Sequence, residues 1–86
     1  MKILFTKHAD EKFEILERHG ILIAKDLVER IVRNPRAIDY SRKPLLIAQG
    51  SFNKRLVLRV VYSQAQDTIK IITFYPGRKE QYEKNI

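Results

Sequence analysis

The second half of the chain carries basic and phenolic side chains whose types suit chemistry on a phosphate group. Arg59 lies in an apolar stretch, Arg78 and Lys79 are adjacent, and Tyr82 follows three residues later. A guanidinium group binds two phosphate oxygens at once, so it could stabilise the phosphorane that forms when an RNA 2′-hydroxyl attacks the backbone. A tyrosine or lysine with a shifted pKa would have to accept the hydroxyl proton. We therefore predict Arg59, Arg78, Lys79 and Tyr82 as catalytic residues for RNA cleavage without a metal or other cofactor.

Other kinds of site have little support in the sequence. Cysteine is absent, which excludes disulfides, thiolate nucleophiles and cysteine-bound zinc or iron–sulfur clusters. Two histidines without cysteine do not predict a metal site. Asp39 and Asp67 are the only acids between residues 36 and 79, so no catalytic carboxylate pair is expected. These two acids also give Arg59 a structural alternative, an ion pair across the predicted sheet.

The positive charge is concentrated in one part of the chain. Seventeen lysines and arginines against ten acids give a net charge of +7, and residues 36–79 hold nine of the basic residues and two of the acids. Such a concentration favours a polyanionic partner, with nucleic acid the leading candidate and ordinary solubility charge the alternative. We predict that Lys43, Lys54 and Arg55 contact the RNA backbone.

Length and composition predict one folded domain over residues 1–86. The chain is 44% hydrophobic and 31% charged, which is typical of a globular protein and not of a disordered one. Its longest apolar stretches, such as residues 45–48, are far shorter than the roughly 20 residues of a membrane span. The apolar start is too short for a signal peptide. A cytoplasmic protein without membrane contact is expected.

The first half predicts a strand and two helices. Residues 2–5 are short and apolar, as at the start of a strand. Thr6 is a good N-cap for a helix from Lys7 to His19, and Gly20 is a natural stop. A second helix is expected from about Ala24 to Arg33, because Asn34-Pro35 disfavours its continuation. The apolar positions of the first helix recur at helical spacing, at Ala9, Phe13 and Leu16.

The second half predicts strands. Residues 37–40 are short and extended, and residues 44–49 follow. Residues 55–62 and 68–75 are rich in β-branched and aromatic residues, typical of strong strands, with a polar loop at residues 63–67 between them. The predicted order is β-α-α-β-β-β with a short polar tail. This order indicates an α+β fold with two helices packed on one face of a twisted antiparallel sheet.

Alternation along residues 55–62 divides the side chains between the two faces of that sheet. One face is entirely apolar and should meet the helices, with Leu56, Leu58, Val60 and Tyr62. Arg55 and Arg59 fall on the other face, which we predict to be open.

With these residues the chain resembles the RelE/ParE superfamily of bacterial toxins, over almost its whole length. The element order is similar, and so are four short motifs: Asn34-Pro35-Arg36, Leu58-Arg59-Val60-Val61-Tyr62, Ile71-Ile72-Thr73, and Gly77-Arg78-Lys79-Glu80 followed by Tyr82. The tail from Arg78 to Glu83 is similar to the BrnT-type branch. Thr6-Lys7-His8-Ala9 resembles related uncharacterised domains whose first helix begins with Ser/Thr-x-His-Ala, which adds His8 to the catalytic candidates.

The resemblance implies a RelE-like fold and the toxin of a toxin–antitoxin pair. RelE-like members cut mRNA, often on the ribosome, and a small antitoxin protein neutralises them. By this resemblance Arg59 matches the arginine that contacts the scissile phosphate, Arg78 or Lys79 the arginine after the last strand, and Tyr82 the C-terminal tyrosine. The paired lysines of the RelE branch have no clean counterpart among Lys43, Lys54 and Arg55.

A non-enzymatic function is the alternative to the nuclease. ParE-like members keep the fold, lack the nuclease residues and inhibit gyrase, so a likeness in fold alone does not give the activity. The alternative is therefore a binding module of this fold that binds gyrase or an antitoxin, or a degenerate toxin.

Overall fold

The computed structural model describes residues 1–83, which form five strands and three helices. In chain order the elements are β1 (Lys2–Phe5), α1 (Lys7–Arg18), α2 (Lys25–Arg33), β2 (Ala37–Asp39), β3 (Leu46–Ser51), β4 (Leu56–Ala65), β5 (Thr68–Arg78) and α3 (Lys79–Tyr82). The predicted α+β class is confirmed. No helix within residues 1–83 has the length and apolar character that a membrane span requires.

Local sequence signals account for the ends of the two longer helices. The Thr6 hydroxyl accepts a hydrogen bond from the Ala9 amide at 3.1 Å, which caps the start of α1. Gly20 follows α1 with a φ of +82°, a left-handed conformation that glycine adopts without steric cost. α2 ends at Arg33, immediately before Asn34-Pro35. Both helices begin or end within one residue of their predicted bounds.

All five strands belong to one mixed sheet in the order β1-β5-β4-β3-β2. Strands β2 to β5 pair antiparallel, whereas β1 runs parallel to β5, with Lys2 opposite Thr68 and Phe5 opposite Ile71. The prediction of an antiparallel sheet is therefore wrong at β1. The order also contains one strand more than predicted, because Ala37–Asp39 pairs with β3 as a short edge strand.

Helices α1 and α2 pack on one face of the sheet, as predicted. The buried core joins Leu16 of α1 and Val28 of α2 to Leu58, Val60 and Tyr62 of β4. These three β4 residues lie on the face assigned to them by the sequence alternation. The opposite face carries Arg59, and the short helix α3 lies there, because the Tyr82 ring stacks on the Arg59 guanidinium group.

Strand β5 continues beyond Tyr75, the last residue of the predicted strand, and passes through Pro76 to Arg78. Strand β1 pairs only with residues 68–71 of β5, so no neighbouring strand needs the amide hydrogen that Pro76 lacks. The pairing with β4 continues to Leu56 opposite Arg78. This extension carries Arg78 and α3 to the end of the sheet where β4 begins.

Candidate nucleic-acid interface

Four basic residues meet where β4 begins and β5 ends. Lys54 and Arg55 precede β4, while Arg78 closes β5 and Lys79 opens α3. The Lys79 amide donates a hydrogen bond to the Arg55 carbonyl at 2.8 Å, which fixes the two pairs side by side. In the turn before β4, the Asn53 side chain accepts hydrogen bonds from the Arg55 and Leu56 amides at 2.9 and 2.8 Å. The backbone therefore holds all four residues at one end of the sheet.

These four residues line a surface cleft of about 600 Å³, together with Leu56 and Glu80. We call it the basic cleft. Lys54, Arg55 and Arg78 are exposed, and Lys79 is half-buried. Within residues 1–83 the only ion pair among the cleft residues joins Arg78 to Glu80 at 3.8 Å, with both side chains more than 70% exposed. Exposed pairs of this kind contribute little, so the cations of the cleft can bind an external anion.

Arg59 lies deeper, on the same face of the sheet, and three side chains bind it. Its Nε donates to the Tyr75 hydroxyl at 3.1 Å, one Nη to the Gln49 side-chain oxygen at 2.6 Å, and the other Nη to an Asp39 carboxylate oxygen at 2.7 Å. Only 6% of Arg59 is exposed. The prediction that Arg59 points away from α1 and α2 agrees with the structure, but the prediction of an open face around it is wrong.

Tyr82 closes the remaining side of Arg59. Its ring centroid lies 4.2 Å from the guanidinium carbon, a distance typical of a cation–π contact. Gly77 lies under the same ring, and a β-carbon at that position would overlap it. Glycine is therefore required at position 77 for the close approach of α3 to β5. Arg59 and Tyr82 are brought together as predicted, but in a stacked arrangement that leaves no room for a phosphate between them.

The charges of the Arg59 cluster support one another. Hydrogen bonds from the Ser41 side chain and amide hold the pKa of Asp39 at about 2, and the Arg59 guanidinium adds to this effect. Burial alone would lower the pKa of Arg59, but the hydrogen bonds to Tyr75 and Asp39 outweigh burial and raise it. At neutral pH the pair is therefore fully ionised.

Two of the predicted site residues lie away from the basic cleft. His8 is exposed in the first turn of α1, whose start is bonded to Ile71 and Ile72 of β5. About six residues of strand, roughly 20 Å, separate that point from Arg78. Lys43 lies in the loop before β3, with its ammonium group 5.6 Å from the Tyr40 ring centroid, at the opposite end of β3 from Lys54. Neither residue shares the cleft.

Sequence reasoning did not identify Gln49 and Tyr75 as partners of Arg59, or the role of Glu83. Gln49 and Tyr75 lie directly opposite Arg59 on the neighbouring strands, so a correct strand register would have revealed both. Asp39 was named as an alternative partner, and the ion pair is present. No group of three or more His, Asp or Glu that could hold a metal ion occurs within residues 1–83.

Comparisons of this chain with protein-family models, with curated protein sequences and with solved structures give no match.

Proposed function

We propose that this protein binds single-stranded RNA through the basic cleft, as a toxin-like protein with a fold of the RelE/ParE type. The observation that carries the proposal is the convergence of Lys54, Arg55, Arg78 and Lys79 on one cleft, to which residues 1–83 contribute one carboxylate, from Glu80. A positively charged groove that follows a flexible phosphate backbone is the common feature of proteins that bind single strands. The likeness to toxins that act on mRNA supports RNA as the ligand.

Phosphate contacts in the cleft have a simple physical basis. Each guanidinium group of Arg55 and Arg78 can donate two parallel hydrogen bonds to one phosphate, and the lysines add compact charges. Binding would release the counterions that the phosphates hold, so the affinity would depend strongly on salt concentration. A toxin of this type would also have a small antitoxin protein as its partner, and an acidic chain would suit this surface.

Metal-independent endoribonuclease activity is the second candidate, and the position of Tyr82 favours it. Tyr82 follows the cleft residue Lys79 by one helical turn, so its backbone adjoins the cleft. In this scheme the 2′-oxygen attacks phosphorus and the bond to the 5′-oxygen breaks, which leaves a 2′,3′-cyclic phosphate and a free 5′-hydroxyl. Arg78 and Lys79 would stabilise the phosphorane. The phenol would accept the 2′-hydroxyl proton as it donates its own to the leaving 5′-oxygen. Arg59 already donates hydrogen bonds to Asp39, Gln49 and Tyr75. Contact with the scissile phosphate would therefore fall to Arg78 and Lys79, and we place binding before cleavage.

The two candidates separate in one set of titrations. Fluorescence anisotropy of a labelled RNA oligonucleotide should show binding whose log K falls with log salt at a slope of about −2.8, if each of the four cations neutralises one phosphate on a single strand. A flat salt dependence, or no binding at low salt, would contradict the proposal. Cleavage of the same RNA in the presence of EDTA, on or off ribosomes, would establish the nuclease. If the RNA stays intact, the protein is a binding module and not a nuclease.

A further inference from the structure

A third arginine lies next to the basic cleft and is occupied by the chain's own tail. Arg36 immediately precedes β2, and its guanidinium group lies 3.7 Å from a Glu83 carboxylate oxygen. The Arg36 side chain is 50% exposed, whereas that of Glu83 is 11% exposed. The Glu83 amide also donates to the Lys79 carbonyl at 2.7 Å. The backbone of Glu83 therefore lies one helical turn, about 6 Å, from that of the cleft residue Lys79, while its carboxylate faces Arg36.

This contact is a poor one for a nearly buried carboxylate. The Glu83 oxygen that faces Arg36 makes no hydrogen bond within residues 1–83, and 3.7 Å is too long for one. Buried polar atoms are normally satisfied, and an unsatisfied one costs free energy. A phosphate has more oxygens than a carboxylate and could meet the guanidinium group at hydrogen-bond distance. Exchange of Glu83 for an external anion would therefore improve the bonding of Arg36.

A second groove lies at Arg36, beside α2. Arg36 and Arg30 line a groove of about 340 Å³, whose apolar wall includes Leu27, Ile31 and Pro35. Arg36 thus belongs to this groove, and its partner Glu83 follows the cleft residue Lys79 by one helical turn. A strand that leaves the cleft at Lys79 would meet Arg36 next and Arg30 after it, with apolar side chains beside its bases.

We propose that Arg36 is a further phosphate-binding position for the RNA strand, and that the Glu83 carboxylate competes with the phosphate for it. Displacement would leave Glu83 without its ion pair, so the wild type gains little from this contact. The inference rests on the proposed RNA binding and gives it a direction, from the basic cleft across Arg36 towards the groove beside α2. Release of Glu83 needs only a rotation of its side chain, so Tyr82 can stay stacked on Arg59.

A double-mutant cycle in RNA binding tests this position. Glu83→Gln should tighten binding about fivefold at 0.1 M salt and steepen the salt slope by about 0.7, because one more phosphate contact becomes available. Arg36→Gln alone should change binding less than twofold. In the Arg36→Gln background the effect of Glu83→Gln should disappear. Glu17→Gln, an exposed change of equal charge in α1, is the control for a general charge effect.

Each outcome of the cycle decides the question. If Glu83→Gln tightens RNA binding equally with and without Arg36, Arg36 is not a phosphate-binding position. The same conclusion follows if Glu17→Gln tightens binding as much. Neither result affects binding at the basic cleft. If Glu83→Gln does not tighten RNA binding, and a melting curve shows that the variant is folded, the position at Arg36 is also wrong. Glu83→Ala is the second variant, since it also removes the carboxylate. If the wild-type protein does not bind RNA, both the proposed function and the phosphate-binding position at Arg36 are wrong.

Discussion

Arg59 connects its own strand to four other elements through one guanidinium group. Tyr75 lies on β5, Gln49 on β3 and Asp39 on β2, while Tyr82 stacks on it from α3. A buried charge of this kind is stable only while its partners remain in place, because the loss of one partner leaves the others desolvated and unpaired. At the scale of the residue, Arg59 therefore stabilises the second face of the sheet.

Arg59→Ala should destabilise the fold. Removal of one partner from a fully buried ion pair costs about 3–5 kcal/mol, and because Asp39 keeps a third of its side chain exposed we expect roughly 2 kcal/mol. For a chain of this size the melting temperature would fall by roughly 10 °C. Thermal unfolding followed by circular dichroism measures the change.

Arg55→Ala is the matched control, since Arg55 is exposed and precedes the same strand. Its melting temperature should stay within about 3 °C of the wild type. An Arg59→Ala protein as stable as Arg55→Ala would show that the cluster does not hold the fold. The catalytic interpretation of Arg59 would then regain support.

The carboxylate of Asp39 should make the stability of the protein depend on pH in the acid range. Its pKa is about 2 in the folded chain against an ordinary value of 3.8. A lowered pKa contributes stability that is complete above the unfolded value and is lost as the pH falls through the folded value. The contribution should therefore be present at pH 5 and disappear towards pH 2.

Comparison of the wild type with Asp39→Asn isolates this contribution. The difference in pKa corresponds to at most about 2.4 kcal/mol, and the exposure of the side chain reduces the expected value to about 1 kcal/mol. Urea unfolding from pH 7 to pH 2 should show the wild type losing about 1 kcal/mol more than the variant. Parallel pH profiles for the two proteins would contradict the lowered pKa of Asp39.

At the scale of elements, α3 is held on the sheet by the Tyr82 ring and by the hydrogen bond from the Lys79 amide to the Arg55 carbonyl. It is four residues long, and no side chain of residues 1–83 caps its start, so its own hydrogen bonds cannot stabilise it. The Tyr82 ring fills the space that the missing side chain of Gly77 leaves. The position of Lys79 in the basic cleft depends on this contact.

Gly77→Ala should displace Tyr82 and destabilise the protein by roughly 1–3 kcal/mol, as overpacking does. In a Tyr82→Ala background the same substitution should be neutral or stabilising, because alanine loses less conformational freedom in a strand than glycine does. Chemical unfolding of the four proteins of this cycle measures the coupling. An equal cost of Gly77→Ala in both backgrounds would place the strain in the backbone of β5 and not at Tyr82.

The longer elements could be predicted from the sequence because their signals are local. Thr6, Gly20 and Asn34-Pro35 mark the ends of α1 and α2, and the alternation of apolar residues divides the faces of β4 correctly. The parallel pairing of β1 with β5 could not be predicted, because it joins residues far apart in the chain. β5 can continue through Pro76 because β1 is short and pairs with residues 68–71 of β5. This pairing also joins residues that are far apart in the chain.

The site was predictable only in part, for a related reason. Lys54, Arg55, Arg78 and Lys79 were all named, and the β4–β5 register brings them together. The burial of Arg59 depends on Asp39 and Gln49, which strand pairing places beside it. Glu83 carries no sequence signal, since its contact with Arg36 arises from the path of α3.

At the scale of the whole molecule, the basic cleft and another group of exposed lysines lie at opposite ends of the sheet. The basic cleft occupies the end where β4 begins and β5 ends. The exposed Lys70 lies eight residues earlier on β5, roughly 25 Å away along the strand. Lys7 is exposed at the start of α1, near the same distant part of β5. Lysines away from the cleft therefore allow the local effect of the cleft to be separated from that of net charge.

RNA binding by two charge-matched double variants tests the central claim most directly. Arg55→Gln with Arg78→Gln removes two cleft cations, and Lys7→Gln with Lys70→Gln removes two charges elsewhere. At 0.1 M salt the cleft variant should bind single-stranded RNA roughly 20-fold more weakly, with a salt slope about 1.4 shallower. The distant variant should bind within about twofold of the wild type, since its charges lie beyond a Debye length from the cleft. Equal losses in the two variants would show that net charge alone attracts RNA and would contradict a binding site at the basic cleft.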